Sequence, residues 1–551
     1  MSAPQPPGRA VVGVLRLATL SAQAAGAALV TLACVAGVAG CAVGPDFRPP
    51  AAPSIDSYGV TTTPTAATPV HGGEAQHFVP GQEVSPDWWR AFESSQVDAL
   101  VGQALAASPD LQAARAALRA AQETLAAQRA TLLPLLALQA SSMRQRDSAT
   151  LSPTLANGTQ LFSLNSAQLT FDYPLDLFGA ERRQIETLAA DADAQRWQVA
   201  ATYLTLTSNT VIAAINAAAA ENELQIARQV ADGARQSLSI LQRQYQLGAV
   251  SQNDVDAQRA ALSQVLALVP SIEQQRQQQR DLLAALTGQL PGQSSEPQRL
   301  TLDALTLPQS LPLSVPASVV ERRPDIRMAE AQLHAATAQV GVAIANMLPN
   351  IALTANAGSA ALALSQLAAP ATRFWSLGGT LSQTLFAGGS LVHRKRAAVA
   401  TMDQAAAQYR SAVLQAFRQV ADALAALQAD AATLQTQSDA TAAALRTLQS
   451  TQHDLQSGAA SELALLDAQR TYRQAVLAQA AARAARLIDT VNLFAALGGG
   501  LGTNAELSQT RPNQAGAVTG GSVNSEHSAS KVIVKRLPPT PDSEMTLRVA
   551  P

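Results

Sequence analysis

The sequence predicts a mainly α fold with a membrane β-barrel: four strands per chain in a barrel that several chains share, three of which would give a trimeric 12-stranded barrel, continued by a long coiled-coil α-helical tunnel in the periplasm, all on an internal duplication. Three observations predict it. The first is the stretch Ser390–Ser457, which contains neither Gly nor Pro, the residues that punctuate helices. Within it Phe417, Val420, Leu424, Leu427, Ala431, Leu434, Ser438, Thr441, Leu445, Leu448, Gln452 and Leu455 follow alternating steps of three and four. That 3.5-residue period marks a left-handed coiled coil. At 1.5 Å per residue such a helix is roughly 100 Å long, several times the width of an ordinary domain. The second observation is a pair of alternating stretches in each half, bounded by turn residues, which read as strands. The third is recurrence. Pro109-Asp110-Leu111 and Leu133-Pro134 return as Pro324-Asp325-Ile326 and Leu348-Pro349 at a spacing of 215, and Gly248-x-x-Ser251 returns as Gly458-x-x-Ser461 at a spacing of 210. Phe178-Gly179 has a counterpart near Phe386-Ala387-Gly388. Landmarks in one order at one period indicate a duplicated unit.

Residues 1–40 read as a signal peptide. Arg9 and Arg16 precede an apolar run, Leu17 to Ala39, that ends in small residues at Val38-Ala39-Gly40-Cys41. A Cys directly after Ala-Gly resembles the lipobox of bacterial lipoproteins, which makes Cys41 the first mature residue, carrying a covalent diacylglycerol and an N-acyl chain. The alternative is an ordinary signal peptide with a buried Cys41. A single lipid anchor holds only marginally, so a second membrane attachment is expected. Ala42 stands where an Asp would signal retention at the inner membrane, which points outward to the outer membrane. With Cys34 cleaved away and Cys41 acylated, no disulfide is expected. The formal net charge of −2 becomes two units more negative once Arg9 and Arg16 are removed, so nucleic acid is not an expected partner.

In chain order, residues 41–86 are rich in Pro, Thr, Ala and Gly and read as a lipidated extended arm. Residues 87–300 form the first repeat: helix, strand hairpin, long helix and return helix. Asp87-Trp88-Trp89-Arg90-Ala91-Phe92 opens it, with aromatics expected to pack where the arm meets the body. The helical pattern from Phe92 to Leu133 is interrupted at Ser108-Pro109-Asp110, where Ser caps and Pro suits a first turn. Leu135, Ala137, Gln139, Ser141 and Met143 alternate, as do Leu169, Phe171 and Tyr173, with Asn157-Gly158 between them. Glu181–Leu247 is the long helix, Gly248 to Ser251 a reversal, and a return helix runs to about Leu286 with Pro270 as a candidate kink. Thr287–Pro316 reads as a connector. Residues 301–502 are the second repeat, with Ile351, Leu353, Ala355 and Ala357 in one strand and Trp375, Leu377, Gly379, Leu381 and Leu385 in the other. Its return helix is expected over Ala459–Leu497, and residues 503–551 read as a disordered tail. Arg182-Arg183 and Arg394-Lys395-Arg396 hold matching places just below the strands, where they are expected to mark the membrane boundary.

Four strands cannot close a barrel, and an open edge is not tolerated in lipid, so several chains must share one. Several segments resemble the TolC-like outer-membrane factors, in the branch of the NodT- and OprM-type efflux lipoproteins. They are Cys41-Ala42-Val43-Gly44-Pro45-Asp46-Phe47-Arg48-Pro49-Pro50, Glu321-Arg322-Arg323-Pro324-Asp325-Ile326, Gly341 to Ile351, Leu385-Phe386-Ala387-Gly388-Gly389 and Ala496-Leu497-Gly498-Gly499-Gly500. The resemblance spans about residues 41–502. It implies a homotrimer, a belt around the middle of the tunnel, and work with a periplasmic adaptor (membrane fusion) protein and an inner-membrane pump of the RND type, in contact with outer-membrane lipid. It also implies that the helix-tip turns, at Gly248, Ser251, Gly458 and Ser461, close the periplasmic end. There Leu463 and Asp467 match the gate, with Arg470 one turn further. Three Leu on an axis exclude water, while three Asp repel one another and favour cations. Otherwise Leu463 is a coiled-coil core residue and Asp467 sits on a solvated face. Ala464 stands where relatives often carry a further Asp.

The function expected is a passive exit duct for small toxic compounds in a tripartite efflux system; a duct for type I protein secretion is the runner-up. An enzyme is not expected. The six His are scattered without metal-ligand spacing, no metal site or phosphate-binding loop is present, and no cofactor beyond the lipid is called for. A poreless coiled-coil lipoprotein leaves the four alternating strands unexplained.

Overall fold

The computed structural model describes residues 42–51, 57–59, 63–146, 161–292, 300–314 and 316–500. The signal peptide, Cys41 and the tail after residue 500 lie outside the described residues, as does the hairpin loop with Asn157-Gly158.

The arm carries β1 (His77–Pro80) and a 3₁₀ turn, Trp88–Phe92. Then follow α1 (Ser95–Ala107), α2 (Pro109–Ala130), β2 (Leu135–Arg146), β3 (Leu161–Leu175), α3 (Ala180–Gln246) and α4 (Gln252–Leu286). The second half runs β4 (Ser310–Leu313), α5 (Pro316–Arg322), α6 (Pro324–Ala345), β5 (Asn350–Ala361), β6 (Arg373–Ser382), α7 (Ser390–Gln456) and α8 (Glu462–Ala496). Corresponding helices have equal lengths: 22 residues in α2 and α6, 67 in α3 and α7, and 35 in α4 and α8.

Local chemistry explains the boundaries. Ser108 accepts from the Leu111 N–H and Pro109 occupies the first turn of α2, where a missing N–H costs nothing. α6 starts on Pro324 in the same way. Each return helix is about half as long as the rod beside it, so it packs along one half while the 22-residue helix covers the other. α4 and α8 pack on α3 and α7; α2 and α6 also pack on α3, and α6 on α7. The heptad seam of α7 is buried at Val420, Leu424, Leu427, Ala431 and Leu434. α4 runs on through Pro270.

The main core sits halfway along the rods. Trp88, Phe92, Val97 and Val101 are buried against Val211 to Ala218 of α3, Val420 to Leu427 of α7 and Leu487 to Leu497 of α8. Two segments read from composition as arm and connector contribute strands there: β1 pairs in parallel with β4, His77 opposite Ser310 and Pro80 opposite Leu313. The ribbon carries Pro80 and Pro312, which composition reads as loop, yet a two-stranded edge tolerates Pro. The return helix begins at Glu462 rather than Ala459, because Ser461 is its N-cap. β6 ends at Ser382, leaving Leu385 outside the strand and exposed.

The start of the arm is bolted to the strand–helix junction. The Arg183 side chain, 5% exposed, pairs with Asp46 and Glu186 at 2.7 Å each and donates to the Val43 carbonyl. Glu186 also bonds His334 Nε2 at 2.9 Å, and the His334 ring stacks on Phe47 at 4.4 Å. Arg183 thus reaches the arm, while Arg182 is held by Asp176; Arg394, Lys395 and Arg396 are exposed. Gly44 has φ +105°, and a Cβ there would lie 2.5 Å from the Gly341 Cα, a backbone atom that cannot swing aside. Gly44→Ala is expected to cost about 2–3 kcal/mol and to detach the arm, read as faster protease cleavage within residues 42–51.

Candidate functional site

The four long strands form one antiparallel sheet in the order β2-β3-β5-β6, with β2 and β6 at its open edges. Register sorts their side chains into two faces, because successive residues of a strand point to opposite sides. One face carries Leu136 and Leu138 opposite Phe171 and Leu169, which face Ala355 and Ala357, which face Leu377 and Trp375. The other carries Gln139, Ser141, Ser166, Gln168, Thr170, Thr354, Asn356, Ser376 and Thr380. Polar pairs bond across it: Ser141 with Ser166 at 2.8 Å, Gln168 with Gln139 at 3.3 Å and Asn356 with Ser376 at 3.3 Å. An apolar face backed by a hydrated one is the pattern of a wall between lipid and water. On the polar face Asp172 is the one ionisable group among the described residues.

At the opposite end of the rods each turn is a Schellman reversal. Gly248 (φ +73°) and Gly458 (φ +77°) take the left-handed conformation. The Ala249 N–H donates to the Gln244 carbonyl at 2.9 Å and the Ala459 N–H to the Asp454 carbonyl at 2.7 Å. Ser251 and Ser461 then cap α4 and α8, accepting from the N–H groups of Asp254 and Ala464 at 3.3 Å each. The two caps differ at the third residue of the helix, Asp254 in one and Ala464 in the other. Asp254 accepts from the Ser251 N–H at 2.9 Å and completes a capping box; the Ser251 hydroxyl, donating to it at 2.7 Å, and then that N–H hold its carboxyl below the usual range. Ala464, in the equivalent place, has no group to do so. Burial, and then the charge of Asp254, push the Glu462 carboxyl up, so the tips of α4 and α8 are electrostatic neighbours.

Leu463, Asp467 and Arg470 lie on one side of α8. Leu463 is 72% exposed, too open for a core residue of this chain. Asp467 Oδ1 pairs with Arg470 Nη2 at 3.0 Å, with both side chains mostly in solvent. All three border a cavity of about 490 Å³ walled by α3 (Val230, Gly233), α4 (Ala261, Val265) and α7 (Leu448, Gln452). Arg473 and Tyr472 complete that wall, and nothing in the sequence pattern singles them out. Burial, and then the nearby Arg470, push the Arg473 guanidinium below its ordinary value.

A carboxyl pair sits nearer mid-rod. Asp430 of α7 bonds Asp489 of α8; burial, then that bond and the Asp489 charge, push the Asp430 carboxyl up to about 7, against the pull of Arg486. Its Oδ2 has no hydrogen-bond partner. The folded form holds a proton that the unfolded chain releases at the ordinary value of 3.8. The stability from that proton is therefore complete below the unfolded value and is lost as pH rises through about 7. Asp430→Asn keeps a donor without the charge. At pH 8 it is expected to melt a few degrees above the wild type, about 1 kcal/mol after solvent screening, and at acidic pH the two curves should converge. A gap that does not close on acidification would sink the shared-proton account.

Among the described residues no group of three or more His, Cys, Asp or Glu is placed to hold a metal ion, and no helix is long and apolar enough to cross a membrane. Neither statement bears on a β-barrel. The family model described as outer membrane efflux protein matches residues 100–289 and 315–499, one match on each half of the repeated order of elements. The chain belongs to the outer membrane efflux protein family. Within that family, the pyoverdine export outer membrane protein OpmQ of Pseudomonas aeruginosa is 30% identical over 418 residues, covering 75% of this chain and 87% of the relative. The toluene efflux pump outer membrane protein TtgC of Pseudomonas putida is 29% identical over 469 residues, 84% and 93% of the two chains. The solved outer-membrane channel OprN superposes with a TM-score of 0.75 at 28% identity, covering 84% of this chain and 99% of that one. This efflux protein accordingly resides in the outer membrane, and its family is one of channel proteins.

Proposed function

We propose that three copies of this chain close one 12-stranded barrel, β6 of each pairing with β2 of the next, and act as the exit duct of a tripartite efflux system. The observation that carries the reading is the two-faced sheet with two open edges, standing on rods of roughly 100 Å. One chain leaves both edges unpaired, which lipid does not tolerate; a closed ring of three pairs every edge and turns all polar faces to a common lumen. That lumen bears few charges, so it passes amphipathic compounds without holding them. A duct with no nucleotide site needs an outside driver, here a periplasmic adaptor protein and an inner-membrane pump of the RND type. Cys41, acylated, would hold the arm in the inner leaflet beside the barrel wall. Small toxic molecules are the cargo proposed, because the relatives are named for pyoverdine export and toluene efflux; protein secretion has no such support. At the periplasmic end the turns at Gly248, Ser251, Gly458 and Ser461 place Leu463, Asp467 and Arg470 of three chains around the axis as a gate.

Purified protein tests this directly. Heat-modifiable migration as a trimer on a gel, with small cation-selective currents in a planar bilayer, is the expected result. Folded protein that stays monomeric and never conducts would move the chain to the poreless reading.

A further inference from the structure

The end of the sheet farthest from the helices carries a charge pattern that efflux does not require. Arg144 and Arg146 of β2 lie on the apolar face, continuing the row Leu136, Leu138, Ala140, Ser142. Arg373 opens β6 on that same face, two positions from Trp375. All three side chains are exposed, and none has a hydrogen bond or ion pair among the described residues. In sequence, the segments that link β2 to β3 and β5 to β6, residues 147–160 and 362–372, contain a single acidic residue, Asp147. On the apolar face the order along the strands is thus aliphatic band, Trp, then unpaired Arg, with Ser142, Asn165 and Ser359 at that end hydrogen-bonded to their neighbours.

Arg placed at the rim of an acyl-facing surface meets headgroups, and its planar fork matches phosphate oxygens bidentately. β2 and β6 are the two open edges, so closing the ring brings Arg373 of one copy to the seam that holds Arg144 and Arg146 of its neighbour. This step rests on the trimer proposed above. We propose that each seam is a binding site for the phosphates of a bisphosphorylated glycolipid of the outer leaflet. Arg144 and Arg146 stand two residues apart on one face, about 7 Å along the strand, and Arg373, which the sheet register sets level with Ala140, four residues before Arg144, adds a third cation on the same face across the seam. One phosphodiester headgroup neutralises one of the three; a glycolipid with two phosphates neutralises more, while its acyl chains lie on the Leu and Trp band. Free phosphate would leave that band uncovered.

Native mass spectrometry of the purified full chain in detergent counts bound lipid. The probes are bisphosphorylated lipid A, the same lipid stripped of phosphate, and phosphatidylglycerol. Wild type is expected to retain the bisphosphorylated form over both others. The triple variant R144Q/R146Q/R373Q should lose it roughly ten-fold or more, and R373Q or R144Q/R146Q alone should each lose part. Heat-modifiable migration checks that the variants still assemble, and R373Q alone serves if the triple variant does not. Equal retention by trimeric wild type and variant, or equal retention of the stripped lipid or of phosphatidylglycerol, overturns the site and leaves the duct intact. A chain that proves monomeric overturns the duct first, and the seam with it.

Discussion

Arg486→Leu is expected to lower the unfolding free energy by about 3–5 kcal/mol, the largest stability effect of any single substitution proposed for this chain. Arg486 is fully buried in α8 and reaches four acceptors of the arm. Nε donates to Gln76 Oε1 at 3.3 Å, Nη1 to the Gly72 carbonyl at 3.3 Å, and Nη2 to Thr65 Oγ1 at 2.8 Å and the Glu74 carbonyl at 2.7 Å. Gln76, itself buried, carries the chain of bonds on to the Pro308 carbonyl and Thr490 Oγ1 at 3.1 Å each. Leucine fills part of the volume but strands those acceptors away from water, and an orphaned buried acceptor costs more than its hydrogen bond was worth. The arm should open first, because α8 keeps its apolar seam at Leu487, Val491 and Phe494. A lowered melting temperature, with amide exchange accelerated over residues 63–80 before the rods, is the expected record. Arg486→Lys should recover part of the loss, since an ammonium meets some of the acceptors but lacks the fork. A variant melting within a degree of wild type would show that the clasp contributes nothing.

That clasp marks where the sequence stops being legible. Helices of 67 residues, their caps and their reversals are local events, written in the absence of Gly and Pro, in Ser108-Pro109 and in Gly248-x-x-Ser251. The four strands are equally local, but that β3 pairs with β5 across the two repeats comes from the fold. The polar lumen face also lies in the alternation, once register is known: Gln139 and Ser141 share parity, and Leu136 and Leu138 share the other. Long-range polar contacts have no such signature. Arg486 stands among alanines in a helix rich in small residues, and only the fold brings Thr65 and Gln76, more than 400 positions earlier, to its guanidinium. Arg183 is the same case in reverse. Its place just below the strands is legible in the sequence, but its partner Asp46, 137 positions away, is not. The β1–β4 ribbon was hidden by its prolines, which obey edge-strand rules and not loop rules. At the tips, the family resemblance singled out Leu463, Asp467 and Arg470, but the sequence could not show the cavity they border, because its other walls come from α3, α4 and α7.

Leu463→Ser and Asp467→Ala are expected to raise single-channel conductance several-fold, the largest functional effect. A Leu 72% exposed at a helix tip leaves apolar surface in water, unless the assembled ring covers it. Three such side chains meeting on an axis form a constriction that water wets poorly, and a hydroxymethyl group there lets water and ions enter. Asp467 acts differently. In the proposed ring each carboxylate would be held by Arg470 of its own chain, an exposed i,i+3 pair of small intrinsic worth, so three acids there would be restrained and not fully opposed. Removing the acid should cut cation selectivity as the current rises. Arg470→Ala should act on selectivity in the opposite sense, leaving three unpaired carboxylates that sharpen the cation preference, an effect that fades at high salt. The double variant L463S/D467A separates the two contributions: currents larger than either single change mean two barriers in series. Currents equal to wild type in all four variants, from protein shown to be trimeric, would place the closure elsewhere along the tube.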